Sequence, residues 1–115
     1  MGYDMADTYK VQITRYAYKQ MREIRRYIEE DLSAPEAAKT LLKAMRNAIG
    51  ALQSLPIRHQ LVDEEPWRSE GVRRLIVKNF NIYYWVDELN EKIHVTAVVY
   101  GKRNQLDQLA AMKKE

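Results

Sequence analysis

The sequence contains no cysteine, only two histidines and one phenylalanine, and no long apolar run. The absence of cysteine excludes disulfides, thiolate nucleophiles and cysteine-based zinc sites, and it suits a reducing compartment. No segment reaches the roughly 18 apolar residues that a membrane-spanning helix needs, and the signal-peptide pattern of a basic start, an apolar stretch and a small-residue cleavage site is missing. We therefore expect a cytoplasmic protein without a membrane partner.

What the sequence does contain fits one folded domain. Its 115 residues are 46% hydrophobic and 30% charged, which is enough for a single core. We assign residues 9–115 to this domain and residues 1–8 to an N-terminal tail. The net charge is only +3, but the whole basic excess lies in residues 68–115. Such a patch suits a polyanion or an acidic protein partner, and it is equally compatible with an ordinary solvated surface.

The N-terminal half predicts one strand and two helices. Apolar and polar residues alternate over residues 9–14, which is the period of a half-buried strand. Apolar residues at spacings of three and four then predict a helix over about residues 15–31. The stretch "SAPE" predicts the start of a second helix, with Ser33 as N-cap and Glu36 completing a capping box. We expect this helix to end before Pro56 and to pack antiparallel against the first.

The C-terminal half predicts a loop and three strands. Residues 56–71 contain two prolines, a glycine and no sustained period, so they predict a long loop of the kind that is usually functional or mobile. Strands are predicted at about 72–77, 80–86 and 93–100, and a short helix is predicted within residues 104–114. The order of elements predicts an α+β fold, a mainly antiparallel sheet with the helix pair on one face.

Alternation along the last two strands predicts two different faces. The set expected under the helices is Phe80, Ile82, Tyr84, Val86, Ile93, Val95, Ala97 and Val99. The opposite set is Asn81, Tyr83, Trp85, His94, Thr96, Val98 and Tyr100. The second set mixes aromatic and polar residues, so it forms a shallow platform if no helix covers it.

Cations lie at the edge of this platform. They are Arg73 or Arg74, Lys78, Lys102 and Arg103, the last two placed directly after the strand that ends at a glycine. Aromatic faces interleaved with fixed cations suit single-stranded nucleic acid, because bases stack on rings while guanidinium groups hold phosphates. The same surface suits an acidic, partly apolar peptide. Aromatic residues also favour strands whatever their function, so packing beneath the C-terminal segment is a further interpretation.

Four stretches carry a family resemblance. "YKVQIT", "YIEEDLSAPEAA", "IVKNFNIYYWVDE" and "VTAVVYGKR" together resemble the RelE/ParE superfamily of bacterial toxins over about residues 9–109. The resemblance implies a small α+β domain with two N-terminal helices against an antiparallel sheet. It also implies the toxin of a type II toxin–antitoxin module, a class linked to plasmid stabilisation and growth inhibition. Its partner would be an acidic antitoxin that wraps along the toxin surface in a hetero-oligomer.

The superfamily divides into ribosome-dependent mRNA endonucleases and non-hydrolytic poisons of DNA gyrase. RNA cleavage by the 2′-hydroxyl requires a proton acceptor, a cation for the developing phosphorane charge and an acid for the leaving oxygen. The resemblance places Arg103 against the scissile phosphate, with Arg73 or Arg74 as a second cation. His94, together with Tyr83 or Tyr100, is the candidate for proton transfer.

Two replacements favour the gyrase poison. The endonuclease branch has an arginine where this chain has Asn81, and the acid–base tyrosine of some members falls near Leu109. The alternatives are an mRNA endonuclease that binds ribosome-bound message, or a degenerate, non-toxic interaction module. His59 and His94 are far apart and lack carboxylates at metal-ligand spacing, so we expect no metal and no cofactor.

Overall fold

The computed structural model describes residues 9–54 and 56–101. The elements, in chain order, are β1 (Lys10–Ile13), α1 (Arg15–Arg26), a π-helical turn (Tyr27–Asp31), α2 (Pro35–Gly50), a 3-10 turn (Ala51–Gln53), β2 (Arg73–Val77), β3 (Phe80–Asp87) and β4 (Lys92–Tyr100).

These strands form one sheet in the order β1-β4-β3-β2, in which β1 runs parallel to β4 and the other neighbours are antiparallel. The predicted α+β class is confirmed. The predicted N-terminal tail and C-terminal helix lie outside the described residues. Within the described part of the chain, no helix is both long and apolar enough to cross a membrane.

A threonine that the sequence patterns had not singled out starts the first helix. The buried hydroxyl oxygen of Thr14 accepts a hydrogen bond from the N–H of Ala17 at 3.1 Å, which satisfies one donor of the first turn. The helical region then extends to Asp31, as predicted. Its last turn is wider than an α-helical turn, and the N–H of Leu32 donates to the carbonyl of Tyr27 at 3.0 Å. Single π-helical turns are frequent at functional sites.

The predicted capping box at Ser33 is wrong. Ser33 has a φ of 51°, in the left-handed region, and its N–H donates back to the carbonyl of Glu30 at 3.3 Å. Ala34 precedes the first turn of α2, and its methyl group cannot accept a hydrogen bond. A left-handed residue closes the helix before it rather than opening the helix after it. Pro35 does occupy the first turn of α2, so the boundary was predicted correctly and the role of the serine was not.

The main core lies between the two helices and one face of the sheet, which we call the helix side. Its buried residues are Ala17, Met21, Leu41, Leu42, Met45, Ile49, Leu52, Leu75, Val77, Ile82, Tyr84, Ile93, Val95 and Val98. The helical members recur at the spacings that predicted them. Burial of these apolar side chains is the main source of folding free energy, at about 25 cal/mol per Å² removed from water.

A bulge in β4 breaks the alternation on which the predicted faces depended. Tyr83 pairs with Ala97 and Tyr84 pairs with Val95, so Thr96 lies between the two pairs as an extra residue. The bulge is supported by hydrogen bonds, since the hydroxyl of Thr96 donates to the carbonyl of Tyr83 at 3.3 Å. An extra residue sends every later side chain of the strand to the other face.

The end of β4 is therefore inverted relative to the prediction. Val98 packs in the core on the helix side, whereas Ala97 and Val99 pack in a second cluster on the opposite side, which we call the outer face. Tyr100 follows Val98 to the helix side, where its ring meets Phe80 edge-on with 5.6 Å between ring centroids. The predicted positions of these four β4 residues are wrong for this reason.

The long loop covers the outer face. Val62 and Trp67 from this loop pack with Tyr83, and the N–H of Val62 donates to the carbonyl of Val72 at 2.9 Å. The N–H of Arg74 donates to the carbonyl of Gln60 at 3.0 Å, which fastens the loop along the edge of β2. The open platform expected on this face is thus absent at its centre in the described structure, where Tyr83 is fully buried.

Candidate functional site

A cleft with two arginines lies beside β2, and we call it the β2 cleft. It has a volume of about 300 Å³ and is lined by Arg58, His59, Gln60, Leu61, Arg74 and Ile76. Two large apolar side chains are exposed in this region, Ile76 at 59% and Ile57 at 60%. Cations beside exposed apolar side chains are typical of surfaces that recognise an anionic, partly apolar partner.

The adjacent arginines of β2 have opposite roles because successive residues of a strand face opposite sides. Arg73 holds the loop, since its Nη1 donates to the carbonyl of His59 at 2.7 Å and to that of Ile57 at 3.5 Å. Arg74 is exposed and lines the β2 cleft. The sequence left the choice between these two open, and of the two it is Arg74 that lines the β2 cleft.

Arg74 rests on a buried polar pair. Tyr83 lies opposite Arg74 across the β2–β3 pairing, and its hydroxyl hydrogen-bonds with the side chains of Asn81 and Arg74. Burial raises the pKa of Tyr83, so the phenol stays protonated at neutral pH. Asn81 is only 9% exposed. Tyr83 and Asn81 therefore support the cleft from beneath and do not offer a stacking surface.

The cleft also contains a histidine that the sequence analysis did not assign to it. Burial, with the neighbouring charge of Arg58, lowers the pKa of His59. Its imidazole is therefore neutral at pH 7 and can accept a proton. The length of the loop was the only sequence signal for Arg58 and His59, because their position beside Arg74 depends on the loop's path.

His94 lies in a separate cluster at the other end of the sheet. Its Nε2 is 3.3 Å from Oδ2 of Asp87, and its ring stacks on Trp85 with 4.5 Å between centroids and 14° between planes. Asp87 also accepts hydrogen bonds from Asn90, which are the main reason that the pKa of Asp87 is lowered. His94 is buried, and among residues 9–54 and 56–101 its Nδ1 has no hydrogen-bond partner.

This geometry makes His94 and Trp85 parts of the sheet rather than parts of the β2 cleft. The described residues also contain no group of three histidine or carboxylate side chains that could hold a metal ion.

The last strand ends at a glycine because a turn approaches it closely. The N–H of Gly101 donates to the carbonyl of Asn79 at 2.7 Å, and a Cβ at residue 101 would lie 3.0 Å from that oxygen. Lys78 occupies the same β2–β3 turn and is exposed, with a φ of 54°. Lys102 and Arg103 follow the glycine but lie outside the described residues, so their predicted roles stay predictions.

A second concave surface lies on the helix side, and we call it the helix groove. Its volume is about 670 Å³, and its lining residues are Gln20, Glu23, Ile24, Tyr27, Ile28, Leu32, Phe80, Val98, Val99 and Tyr100. Three of its large apolar side chains are substantially exposed: Tyr27 at 53%, Leu32 at 54% and Tyr100 at 41%. Tyr27 begins the π-helical turn and Leu32 follows it, and Tyr100 reaches the groove because of the bulge.

The fold has two helices on a four-stranded mixed sheet, as the resemblance to the RelE/ParE superfamily implied. The family model for the ParE toxin of the type II toxin–antitoxin system parDE matches residues 11–105, and the chain belongs to this family. It is therefore the toxin component of a type II toxin–antitoxin module. Among curated proteins, no sequence matches it significantly.

Three solved structures share the fold. The chromosomal ParDE toxin–antitoxin system of P. aeruginosa is 20% identical, with a TM-score of 0.66 over 82% of this chain and 97% of that chain. The RelBE2 toxin–antitoxin complex of Mycobacterium tuberculosis is 16% identical, with a TM-score of 0.57 over 81% and 98%. The isolated E. coli RelE toxin is 15% identical, with a TM-score of 0.53 over 89% and 94%.

Proposed function

We propose that this toxin inhibits cell growth by binding and poisoning DNA gyrase, without hydrolysing RNA. The observation that carries the proposal is the state of Asn81. The endonuclease branch of the superfamily has an arginine at this position, whereas here a buried amide hydrogen-bonds with Tyr83. The other proton-transfer candidates on the outer face are also held within the sheet, since Tyr83 is buried and His94 is bound to Asp87.

The β2 cleft has the composition of a protein-binding surface. Arg58 and Arg74 supply two cations, and Ile76 supplies exposed apolar area in the same cleft. Arginine is enriched among the few residues that carry most of the binding energy in protein interfaces. We assign Arg74 as its central residue, and Lys78, Lys102 and Arg103 stay predicted cationic contacts of the target.

The test is to express the chain alone and to measure DNA supercoiling by gyrase and message integrity in the same cells. We expect loss of supercoiling with intact mRNA. Arg103→Ala should abolish toxicity at an unchanged folded fraction, Arg103→Lys should retain part of it, and Lys113→Ala should have no effect. The expectation for lysine follows from the paired hydrogen bonds that only a planar guanidinium makes. Cleaved message with normal supercoiling would overturn the proposal.

One observation supports the alternative, an mRNA endonuclease acting on the ribosome. The β2 cleft combines a neutral imidazole, His59, with the two cations Arg58 and Arg74, and these groups could serve as base and phosphate ligands. In that case His59→Ala would abolish message cleavage in the expression experiment. A gyrase poison would keep its toxicity in the same variant unless His59 contacts the target.

We further propose that the partner is an acidic antitoxin whose apolar side chains fill the helix groove. The groove exposes Tyr27, Leu32 and Tyr100 together, which is more than scattered surface apolar residues require. Leu32→Asp should weaken the toxin–antitoxin complex at least about tenfold, because a buried, unpaired carboxylate costs several kcal/mol.

The matched control is Leu89→Asp in the β3–β4 turn, where the leucine is 96% exposed and far from the groove. Both variants are co-expressed with the neighbouring small open reading frame and analysed on a sizing column. Equal complex formation by both variants would contradict the assignment of the groove, and failure of the wild-type chain to form any complex would contradict the partner.

A further inference from the structure

Helix α1 presents a row of four exposed cations. They are Arg15, Lys19, Arg22 and Arg26, at successive spacings of four, three and four residues. Residues at these spacings are neighbours on a helix surface, with about 5–6 Å between Cβ atoms. At about 1.5 Å per residue the row is about 16 Å long. We call it the α1 stripe.

Ion pairs within the described part of the chain do not account for the stripe. Within residues 9–54 and 56–101, none of the four cations forms an ion pair with a carboxylate. Like charges at spacings of three and four repel each other and destabilise a helix. Glu23 is an exposed carboxylate beside the row, four residues after Lys19 and three before Arg26, and it forms no ion pair with either within residues 9–54 and 56–101.

The charge at the start of the helix opposes the helix dipole. The first turn of α1 contains Arg15 and no acidic residue, whereas the π-helical turn that ends the same helical region contains Glu29, Glu30 and Asp31. The helix dipole favours anions at the start and cations at the end. Arg15 therefore lies where the dipole disfavours a cation, whereas Arg26 lies in the last turn of α1, where the dipole favours one.

The chemistry of the stripe selects a polyanion. Its members are all cations, and the nearest exposed aromatic residue, Tyr18, lies beside the row rather than within it. A line of cations without an apolar anchor matches a regularly spaced row of phosphates, which gives binding that is independent of base sequence.

We propose that the α1 stripe binds the phosphate backbone of duplex DNA. The choice of DNA among polyanions rests on the proposed function, because gyrase acts on duplex DNA. The placement of α1 allows the toxin to contact DNA and gyrase at once. The β2 cleft lies beside β2, and the helix that packs against β2 is α2, whereas α1 packs against β4. DNA and gyrase would thus contact different regions of the toxin.

The test is fluorescence anisotropy with the purified full chain and a labelled duplex of about 25 base pairs of arbitrary sequence, over a range of salt concentrations. The variant is the double substitution Arg22→Gln with Arg26→Gln, chosen because glutamine has nearly the same helix propensity as arginine. We expect the affinity to fall by about tenfold or more at low salt. The slope of log K against log salt should fall by about two, since each phosphate contact contributes about 0.9.

The matched control is Lys39→Gln with Lys43→Gln on α2, which removes the same charge from two exposed positions four residues apart. We expect it to change DNA affinity by no more than about twofold. Thermal unfolding of both double variants confirms folding, and removal of like-charge repulsion should not lower the melting temperature of the α1 variant.

Three outcomes would contradict the proposal that the α1 stripe binds duplex DNA. They are no duplex binding by the wild-type chain, equal losses of DNA affinity in the two double variants, and tighter binding to single-stranded RNA than to duplex. A parallel supercoiling assay separates this inference from the proposed function. If the wild-type chain inhibits gyrase but binds no duplex, the DNA-binding proposal is wrong and the gyrase proposal stands. If the chain binds duplex through the stripe but does not inhibit gyrase, the gyrase proposal is wrong and the DNA-binding proposal stands.

Discussion

The two faces of the sheet use the same three antiparallel strands but are built differently. On the helix side, apolar side chains such as Ile82 and Val95 pack against two helices in one continuous core. On the outer face, the buried layer includes the polar residues Asn81 and His94, and it is covered by a loop. The helix side therefore contributes most of the stability, while the outer face keeps polar groups in fixed positions.

This difference has a physical cause. A buried polar group must find a partner or lose free energy, so each one restricts the arrangement of its neighbours. Tyr83 with Asn81 and Arg74 is one such group, and His94 with Asp87 is another. A loop cover can change sequence without disturbing the helix-side core, so it is the natural place for residues that recognise a partner.

The largest expected effect comes from breaking the helix side. Ile82→Ala removes a fully buried side chain from the main core and should lower the free energy of unfolding by about 2–5 kcal/mol. Ile76→Ala is the control, because the same side chain in β2 is 59% exposed and its loss should cost no more than about 0.5 kcal/mol. Chemical denaturation measures both, and similar losses would contradict the assignment of the core.

An intermediate effect separates the two arginines of β2. Arg73→Gln loses the charged hydrogen bonds to the loop carbonyls and should cost about 1.5 kcal/mol or more. Arg74→Gln loses one partly exposed contact and should cost less than about 1 kcal/mol. Denaturation gives the stabilities, and limited proteolysis should show faster cleavage of residues 56–62 in Arg73→Gln alone.

The Arg73 and Arg74 variants can also be compared by their toxicity, measured in cells that contain equal amounts of soluble toxin. Arg74→Gln should lose toxicity with little loss of stability, because it removes a cation of the β2 cleft. If Arg74→Gln is as toxic as the wild-type chain, the cleft is not the functional site, whatever the stability of Arg73→Gln.

The smallest effect concerns pH and the cluster around His94. Hydrogen bonds from Asn90 lower the pKa of Asp87 below its ordinary value of 3.8, so ionised Asp87 stabilises the fold. This contribution is fully present above the unfolded pKa and is lost as pH falls through the lower, folded value. Melting temperatures of the wild-type chain and Asp87→Asn should therefore differ by a constant amount near neutral pH and converge below pH 3.8.

Glu88→Gln is the control for that titration, because Glu88 is the exposed neighbour that follows Asp87 at the start of the β3–β4 turn. Its melting temperature should follow the wild-type curve at every pH. A gap between wild type and Asp87→Asn that persists unchanged in acid would mean that the Asp87 charge does not stabilise the fold.

The sequence by itself determined the order of elements, the α+β class and the family. The helical spacing that places Leu41, Leu42, Met45 and Ile49 on one side of α2 is a local property, and it survived folding unchanged. The motif at the end of β4 carried the superfamily resemblance, and the ParE family model covers the same region. Patterns with a period of two or 3.6 residues depend only on backbone geometry, so they can be read without knowing any distant contact.

Tertiary structure alone decided the site. The bulge at Thr96 depends on how β4 pairs with β3, and it sends Tyr100 into the helix groove instead of onto the outer face. The path of the loop brings Arg58 and His59 to Arg74, and it leaves Tyr83 buried. The left-handed Ser33 closes one helix because of the chain's turn into the next, although its sequence context is that of an N-cap. Each of these features depends on a contact between distant segments or on a local backbone conformation. Neither leaves a periodic pattern of apolar residues in the sequence.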